Sequence, residues 1–133
     1  MAVIPDNYAD LLGTGKKSFA HIATIMKDGS PQVTPVWFDY TGGKIRVNTA
    51  KGRVKARTMR PGVAVALAIQ DPENPYRYLQ VRGKVVSRTE SGADAHIDSL
   101  AKKYLGQDKY PFRQPGEVRL IYEIEPASAQ AMG

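Results

Sequence analysis

From Gly62 to Gln70 the chain alternates without a break, with Val63, Val65, Leu67 and Ile69 at one parity and Ala64, Ala66 and Ala68 at the other. Successive side chains on a strand point to opposite faces, so this segment makes a strand with one bulky apolar face and one thin alanine face. A thin face lets a second sheet layer or a helix approach closely, which suits a central strand of a small barrel.

The neighbouring segments extend that pattern. Lys17 to Met26 reads as a strand, Lys27 to Ser30 supplies a turn carrying Asp-Gly, and Pro31 to Tyr40 returns as a second strand. Lys44 to Thr49 sets Ile45 and Val47 against Lys44, Arg46 and Asn48, so three consecutive strands form a meander. Gly52 to Arg60 is expected to be a short helix closed by Pro61 and Gly62, and Tyr76 to Thr89 a long strand in which Gly83 marks a bulge or bend. Ala93 to Leu105 is the clearest helix, since Ile97, Leu100, Ala101, Tyr104 and Leu105 recur on one face. Glu117 to Glu125 is the last strand, Pro5 to Leu12 a short helix, and Ser128 to Gly133 a loose tail. Six strands with short helices inserted between them predict an α+β fold, an antiparallel barrel in a single domain over residues 1–133.

At 133 residues the chain can bury roughly two-thirds of the surface its unfolded form exposes, enough for a core without staples. It has no cysteine, which removes disulfides, thiolate metal sites and cysteine nucleophiles, and its two histidines, His21 and His96, have no second ligand at metal spacing. No secretory apolar segment and no membrane-spanning run is visible, so the expectation is a cytoplasmic protein.

The net charge of +6 is concentrated in one place. Lys51, Arg53, Lys55, Arg57 and Arg60 carry five positive charges with no acid among them, directly after a strand ending Asn48, Thr49 and Ala50. On a helix beginning at Gly52, unpaired backbone N–H groups and these cations favour a compact anion such as phosphate, with Arg53 and Lys55 best placed and Asn48 and Thr49 adding neutral hydrogen bonds. A solvated basic helix face is the plain alternative. Nucleic acid is a further rival, because Tyr76 and Tyr78 have faces for stacking, but no nucleic-acid module matches and none is expected as a partner.

Taken together, the DGSPQVTPVWF hairpin, the NTAKGRVKAR segment and the late GKVV strand resemble the pyridoxamine 5'-phosphate oxidase-like flavin-binding split barrels, from about Leu11 to Pro126. Within them the chain is similar to the actinobacterial branch that uses the deazaflavin coenzyme F-420. The resemblance implies a six-stranded split barrel and a homodimer with a flavin or deazaflavin in each interface groove. It also implies that the segment Asn48, Thr49, Ala50, Lys51, Arg53, Val54, Lys55 and Arg57 holds the phosphate, while Gln32, Val33, Thr34, Pro35 and Val36 line the ring system. Ile69, Gln70, Tyr76 and Tyr78 are the candidates for closing the groove from the partner chain.

The implied activity is hydride transfer from F-420 to an electron-poor small-molecule acceptor such as an enone, unsaturated lactone, quinone or tetrapyrrole. The alternatives are an FMN-dependent oxidoreductase and a non-catalytic flavin or deazaflavin carrier. True pyridoxamine phosphate oxidases end in a substrate-binding segment with an arginine, whereas this chain ends EPASAQAMG, so vitamin B6 synthesis is not expected. A haem role would want an axial ligand that neither histidine offers by its sequence context. The absence of a recognisable catalytic triad is compatible with redox chemistry supplied by a cofactor.

Overall fold

The Asp28-Gly29 turn forms as expected: Met26 N–H donates to the Ser30 carbonyl at 2.8 Å and Ser30 N–H donates to the Asp28 carboxylate at 3.0 Å. It joins β1 (Ala20–Ile25) to β2 (Pro31–Val36) in register from Ala20↔Val36 to Ile25↔Pro31. The computed structural model describes residues 3–133. After β2 come β3 (Phe38–Thr41), β4 (Lys44–Ala50), α1 (Val54–Thr58), β5 (Ala64–Asp71), β6 (Asn74–Thr89), α2 (Ala93–Leu105) and β7 (Arg119–Met132), with a 3-10 helix at Asp6–Leu12 ahead of β1. Every strand pairing is antiparallel, in the order β2-β1-β5-β6-β7-β4-β3.

Seven strands replace the expected six because the segment Pro31 to Tyr40 breaks at Trp37. Its first half pairs with β1 and its second half with β4, so the continuous meander is corrected to two hairpins at opposite edges of one sheet. Only Trp37 separates those edges, and two residues span at most about 7 Å. The sheet must therefore curl until its edges meet at that corner, which gives the curled α+β split-barrel form.

The alternation of β5 places Val65, Leu67 and Ile69 inside, each at most 5% exposed, and turns Ala64 and Ala68 outward. Phe38, Ile45, Val47, Tyr122 and Ile124 fill the same interior. A second, smaller core forms outside the barrel, where Ile97, Leu100 and Tyr104 of α2 pack with Trp37 and Tyr110. Tyr104 stacks on Trp37 with centroids 5.3 Å apart and ring planes within 6°. Its hydroxyl donates to the Ser18 carbonyl at 2.5 Å and accepts from Phe38 N–H at 3.3 Å, and burial pushes its pKa up to about 12.

The short helix expected at Pro5 to Leu12 is present as a 3-10 helix. Two further expectations are corrected. The helix at Gly52 to Arg60 is only Val54–Thr58, with Gly52 in a left-handed turn at φ 88°. The supposed tail Ser128 to Gly133 instead continues β7 against β6 to Met132↔Tyr78, and Ala129 and Ala131 pack on the core. Small residues at alternate positions make a usable strand edge there even without a strong apolar signal. No helix among the described residues is long and apolar enough to cross a membrane.

Gly83 does mark an irregularity, since the β6–β7 register shifts between Arg82 and Gly83. A Cβ at this position would overlap the Glu125 carbonyl oxygen and stand 3.2 Å from the Pro126 Cα, both backbone atoms of the paired strand. Gly83→Ala should therefore destabilise the fold by about 1–3 kcal/mol in chemical denaturation, in the range of overpacking. A variant as stable as the parent contradicts the close approach.

Arg77 ties the 3-10 helix to the barrel. Its guanidinium donates to Asp10 at 2.7 Å, Asp71 at 2.9 Å and the Asn7 carbonyl at 2.7 Å, and lies over the Tyr8 ring at 4.8 Å. Lys16 adds an ion pair to each carboxylate. The Glu73 backbone N–H and the Lys16 ammonium hold Asp71 at about 2, against an ordinary 3.8. A depressed carboxyl pKa contributes stability that is present above about 3.8 and lost as pH falls through about 2. Thermal melts between those pH values should drop steeply for the parent and less for Asp71→Asn, and equal slopes would contradict the assignment.

Candidate functional site: a cationic groove beside Trp37

At the end of β4 the chain turns through Lys51 and Gly52, with Lys51 N–H donating to the Val118 carbonyl and Arg53 N–H to the Ala50 carbonyl. The helix that follows has five residues, shorter than the spacing suggests, so it is the side-chain cations rather than a long helix axis that give this turn its positive character. The short turn also sends them in different directions. Arg53 and Lys55 line a groove of about 270 Å3 with Pro35, Val36, Trp37, Asn48, Thr49, Tyr110, Phe112 and Arg119. Val54, Arg57 and Arg60 line a different depression of about 900 Å3, with Ile25, Lys27 and Arg88. The single basic cluster of the sequence is thus two sets of cations.

Lys55 is the most telling of them. Its ammonium donates to Thr34 Oγ1 at 2.8 Å and has no carboxylate partner among the described residues. Burial, with the nearby Arg53 charge, lowers its pKa. A half-buried ammonium held only by a hydroxyl is stabilised by any anion that reaches it. Arg53 is more exposed and sits 3.7 Å from the Glu117 carboxylate, while Lys51 forms an exposed pair with Glu90 at 3.7 Å. The cations lacking local acids in the sequence thus find two acids from elsewhere in the fold.

Beneath them lies a buried polar chain. Arg119, 4% exposed, donates from Nε to Asn48 Oδ1 at 2.7 Å and from Nη1 to Glu117 at 3.0 Å, with its guanidinium 5.2 Å from the Tyr110 ring centre. Asn48 Nδ2 donates to the Ala93 carbonyl at 2.9 Å and meets His96 Nδ1 at 3.0 Å. His96 Nε2 lies 2.9 Å from Asp39, which Arg46 also holds through two hydrogen bonds. Burial opposes ionisation of Asp39, but His96 and Arg46 outweigh it and bring its pKa down to about 2.

Thr34, Pro35, Val36, Asn48, Thr49, Arg53 and Lys55 therefore meet at or beside one groove. Several other candidates do not. Ile69 is fully buried in the barrel, and neither it nor Ala50 lines the groove. Val33 is 64% exposed on the outer sheet face, next to half-buried Gln32. Gln70 donates to the Pro75 carbonyl opposite Tyr78, and Tyr76 is 83% exposed, all away from the groove of their own chain. Asn48 has both amide hydrogens and its oxygen engaged, so it supports the groove instead of offering a free hydrogen bond.

Arg119, Glu117, Tyr110 and Phe112 were not anticipated from the sequence. The signal was the adjacent Leu120 and Ile121, both buried, which mark β7 as covered on two faces and so place Arg119 under α2 and the following loop.

A flavin or deazaflavin fits the donor set. Arg53, Lys55 and Arg119 line the groove together, and Lys55 has no carboxylate partner among the described residues; Thr49 Oγ1, unpartnered like Ser18 Oγ and Thr24 Oγ1, is closed off on the inner side of β4. Trp37, Tyr110 and Phe112 supply aromatic surface beside these cations, with Trp37 and Tyr110 edge to face at 6.0 Å. No group of three metal-ligating side chains occurs among the described residues.

The profile of the pyridoxamine 5'-phosphate oxidase family matches residues 4–133. No curated protein matches the chain. Among solved structures, an F-420 reductase is 32% identical over 96% of this chain and 98% of its own, with a TM-score of 0.81. A conserved hypothetical protein from Mycobacterium tuberculosis is 19% identical over 98% of this chain and 86% of its own, with a TM-score of 0.73. The heme storage protein HutZ from Vibrio cholerae is 14% identical over 100% and 96%, with a TM-score of 0.67, and like the mycobacterial protein it shares the fold alone. With a curled split barrel and a family match over nearly its whole length, the chain belongs to the pyridoxamine 5'-phosphate oxidase family.

Proposed function

We propose that the protein is an F-420-dependent oxidoreductase that reduces an electron-poor small molecule, with the acidic end of the deazaflavin held by Arg53 and Lys55. The observation that carries this reading is the half-buried Lys55 ammonium, with no carboxylate partner among the described residues, beside Arg53 in an aromatic-walled groove. Full-length similarity to an F-420 reductase supports the deazaflavin over FMN. Arg53, Lys55 and Arg119 outnumber the single carboxylate of Glu117 in the groove, so its balance is positive and suits a phosphodiester carrying further carboxylates.

When bound, the deazaflavin supplies the hydride. Lys55 and Arg53 would anchor its anionic end, and Pro35, Val36 and Trp37 would give a dry wall against which the rings are oriented. An enone, unsaturated lactone, quinone or tetrapyrrole is the acceptor class, with its proton taken from solvent or from Tyr78. His96 is committed to Asp39 and Asn48 and is not available as a haem ligand.

The same reading includes a cytoplasmic homodimer. Val33, Ala23 and Ala66 lie in one cross-strand row, and Pro35, His21 and Ala68 in the next, on an outer face where Val33, Pro35, His21 and Ala68 are exposed. A second copy on that face would bury exposed Val33 and Ile25 and bring its Gln70, Tyr76 and Tyr78 toward the groove.

Isothermal titration with F-420 and FMN should give tighter binding of F-420. Arg53→Ala combined with Lys55→Ala should weaken it by about a hundredfold, the loss of two charge-assisted hydrogen bonds, with an unchanged melting temperature. Unaltered affinity in that double variant overturns the anchor. Turnover of no acceptor despite tight binding would instead identify a carrier, and preference for FMN the flavin alternative.

A further inference from the structure

Asn48 joins a buried histidine to the buried arginine of the groove. Its Oδ1 accepts from Arg119 Nε, one Nδ2 hydrogen goes to the Ala93 carbonyl, and the other to His96 Nδ1. A guanidinium only donates and a carbonyl only accepts, so the amide has a single satisfactory orientation and His96 Nδ1 must be the unprotonated acceptor. The imidazole proton then sits on Nε2, directed to Asp39 at 2.9 Å. His96 is 2% exposed at its side chain, with no solvent to accept a second proton from Nδ1.

A proton added at Nδ1 would face the N–H of Asn48. Turning the amide over would offer Nδ1–H an acceptor, but would set Oδ1 against the Ala93 carbonyl and Nδ2 against Arg119 Nε–H, losing both of those bonds. The amide orientation that holds Arg119 therefore depends on a bare Nδ1 of His96. The charged groups around His96 are Asp39 of β3, Arg46 of β4 and Arg119 of β7, with Glu123 of β7 near Arg46 and Lys103 of α2 near Asp39. Arg46 already binds both Asp39 oxygens, which limits what that carboxylate gains from an imidazolium.

We propose that Arg119 contacts the bound ligand and that His96 is its positioning residue, acting through the Asn48 amide, whose orientation its bare Nδ1 fixes. Arg119 lines the groove and uses Nε and Nη1 within the chain, leaving Nη2 without a hydrogen bond among the described residues. An acceptor oxygen on the ligand would complete it. The ligand side of this inference rests on the proposed deazaflavin binding, while the His96–Arg119 coupling belongs to the ligand-free protein.

F-420 is the probe for the ligand side, and quenching of Trp37, the single tryptophan, follows its binding. Arg119→Met should bind about tenfold more weakly than wild type. His96→Leu, which takes the acceptor away from Asn48, should weaken binding by about fivefold, while His96→Gln, whose side-chain oxygen can accept in its place, should stay within about twofold of wild type. Undiminished binding by Arg119→Met, or equal binding by His96→Leu and His96→Gln, overturns the proposal. Nitrogen-15 NMR of ligand-free wild type keeps the coupling testable even where a variant fails to fold. It should show His96 with Nε2–H and bare Nδ1, and a hydrogen-bonded Arg119 Nε–H. An Nδ1–H tautomer, or an Arg119 Nε–H in free exchange with water, overturns the coupling. If wild type binds no F-420 while the NMR coupling holds, the deazaflavin reading fails and the coupling stands.

Discussion

Trp37 is where the chain leaves one edge of the sheet and joins the other, and the barrel closes because those edges can be no farther apart than a single residue allows. What holds the corner is Tyr104. Its ring stacks on Trp37 while its hydroxyl takes Phe38 N–H and donates to the Ser18 carbonyl, so backbone groups released by the broken strand are satisfied. Lys103 adds a bond to the Phe38 carbonyl and lies 4.5 Å from the Phe38 ring centre. Helix α2 is thereby fixed across the corner, and the groove is the space left between it, β2, the end of β4 and the start of β7.

That geometry gives the groove its chemical character. Aromatic surface comes from the corner itself, through Trp37, and from the loop after α2, through Tyr110 and Phe112. Charge comes from the β4–α1 turn and from Arg119, on strands that pair with each other. Glu117 lies between Arg119 and Arg53 and neutralises part of this charge, which lets two guanidinium groups share one region while Lys55 stays uncompensated. In the proposed function, that ammonium is where the acidic end of the cofactor would bind.

Periodicity made the interior legible. Val65, Leu67 and Ile69, or Ile45 and Val47, can only be inward when their neighbours are alanine or charged, and the helix face of Ile97, Leu100 and Tyr104 is equally direct. The break at Trp37 was not legible, because Pro31 to Tyr40 alternates plausibly throughout and the reason for the break lies on α2, far along the chain. The end of β7 was missed for the opposite reason: Ser128 to Met132 has little apolar content and is a strand because β6 offers it a partner edge. In the groove, Arg53 and Lys55 stood out through charge density and the absence of neighbouring acids. The division of the cluster did not, since it follows from a helix of one short turn in place of the longer one that the spacing suggested. Asn48 looked like a free hydrogen-bonding residue because its partners, His96 and Arg119, are brought to it only by the tertiary fold.

The central claim is that the cations of the narrower groove, and not those of the larger depression across α1, receive the acidic end of the ligand. A crystal structure of the protein grown with F-420 tests it most directly. The account predicts the phosphodiester within hydrogen-bonding distance of Lys55 and Arg53, with the ring system beside Pro35 and Trp37. Density for that group among Arg57, Arg60 and Arg88, with Lys55 still bonded only to Thr34, would contradict it.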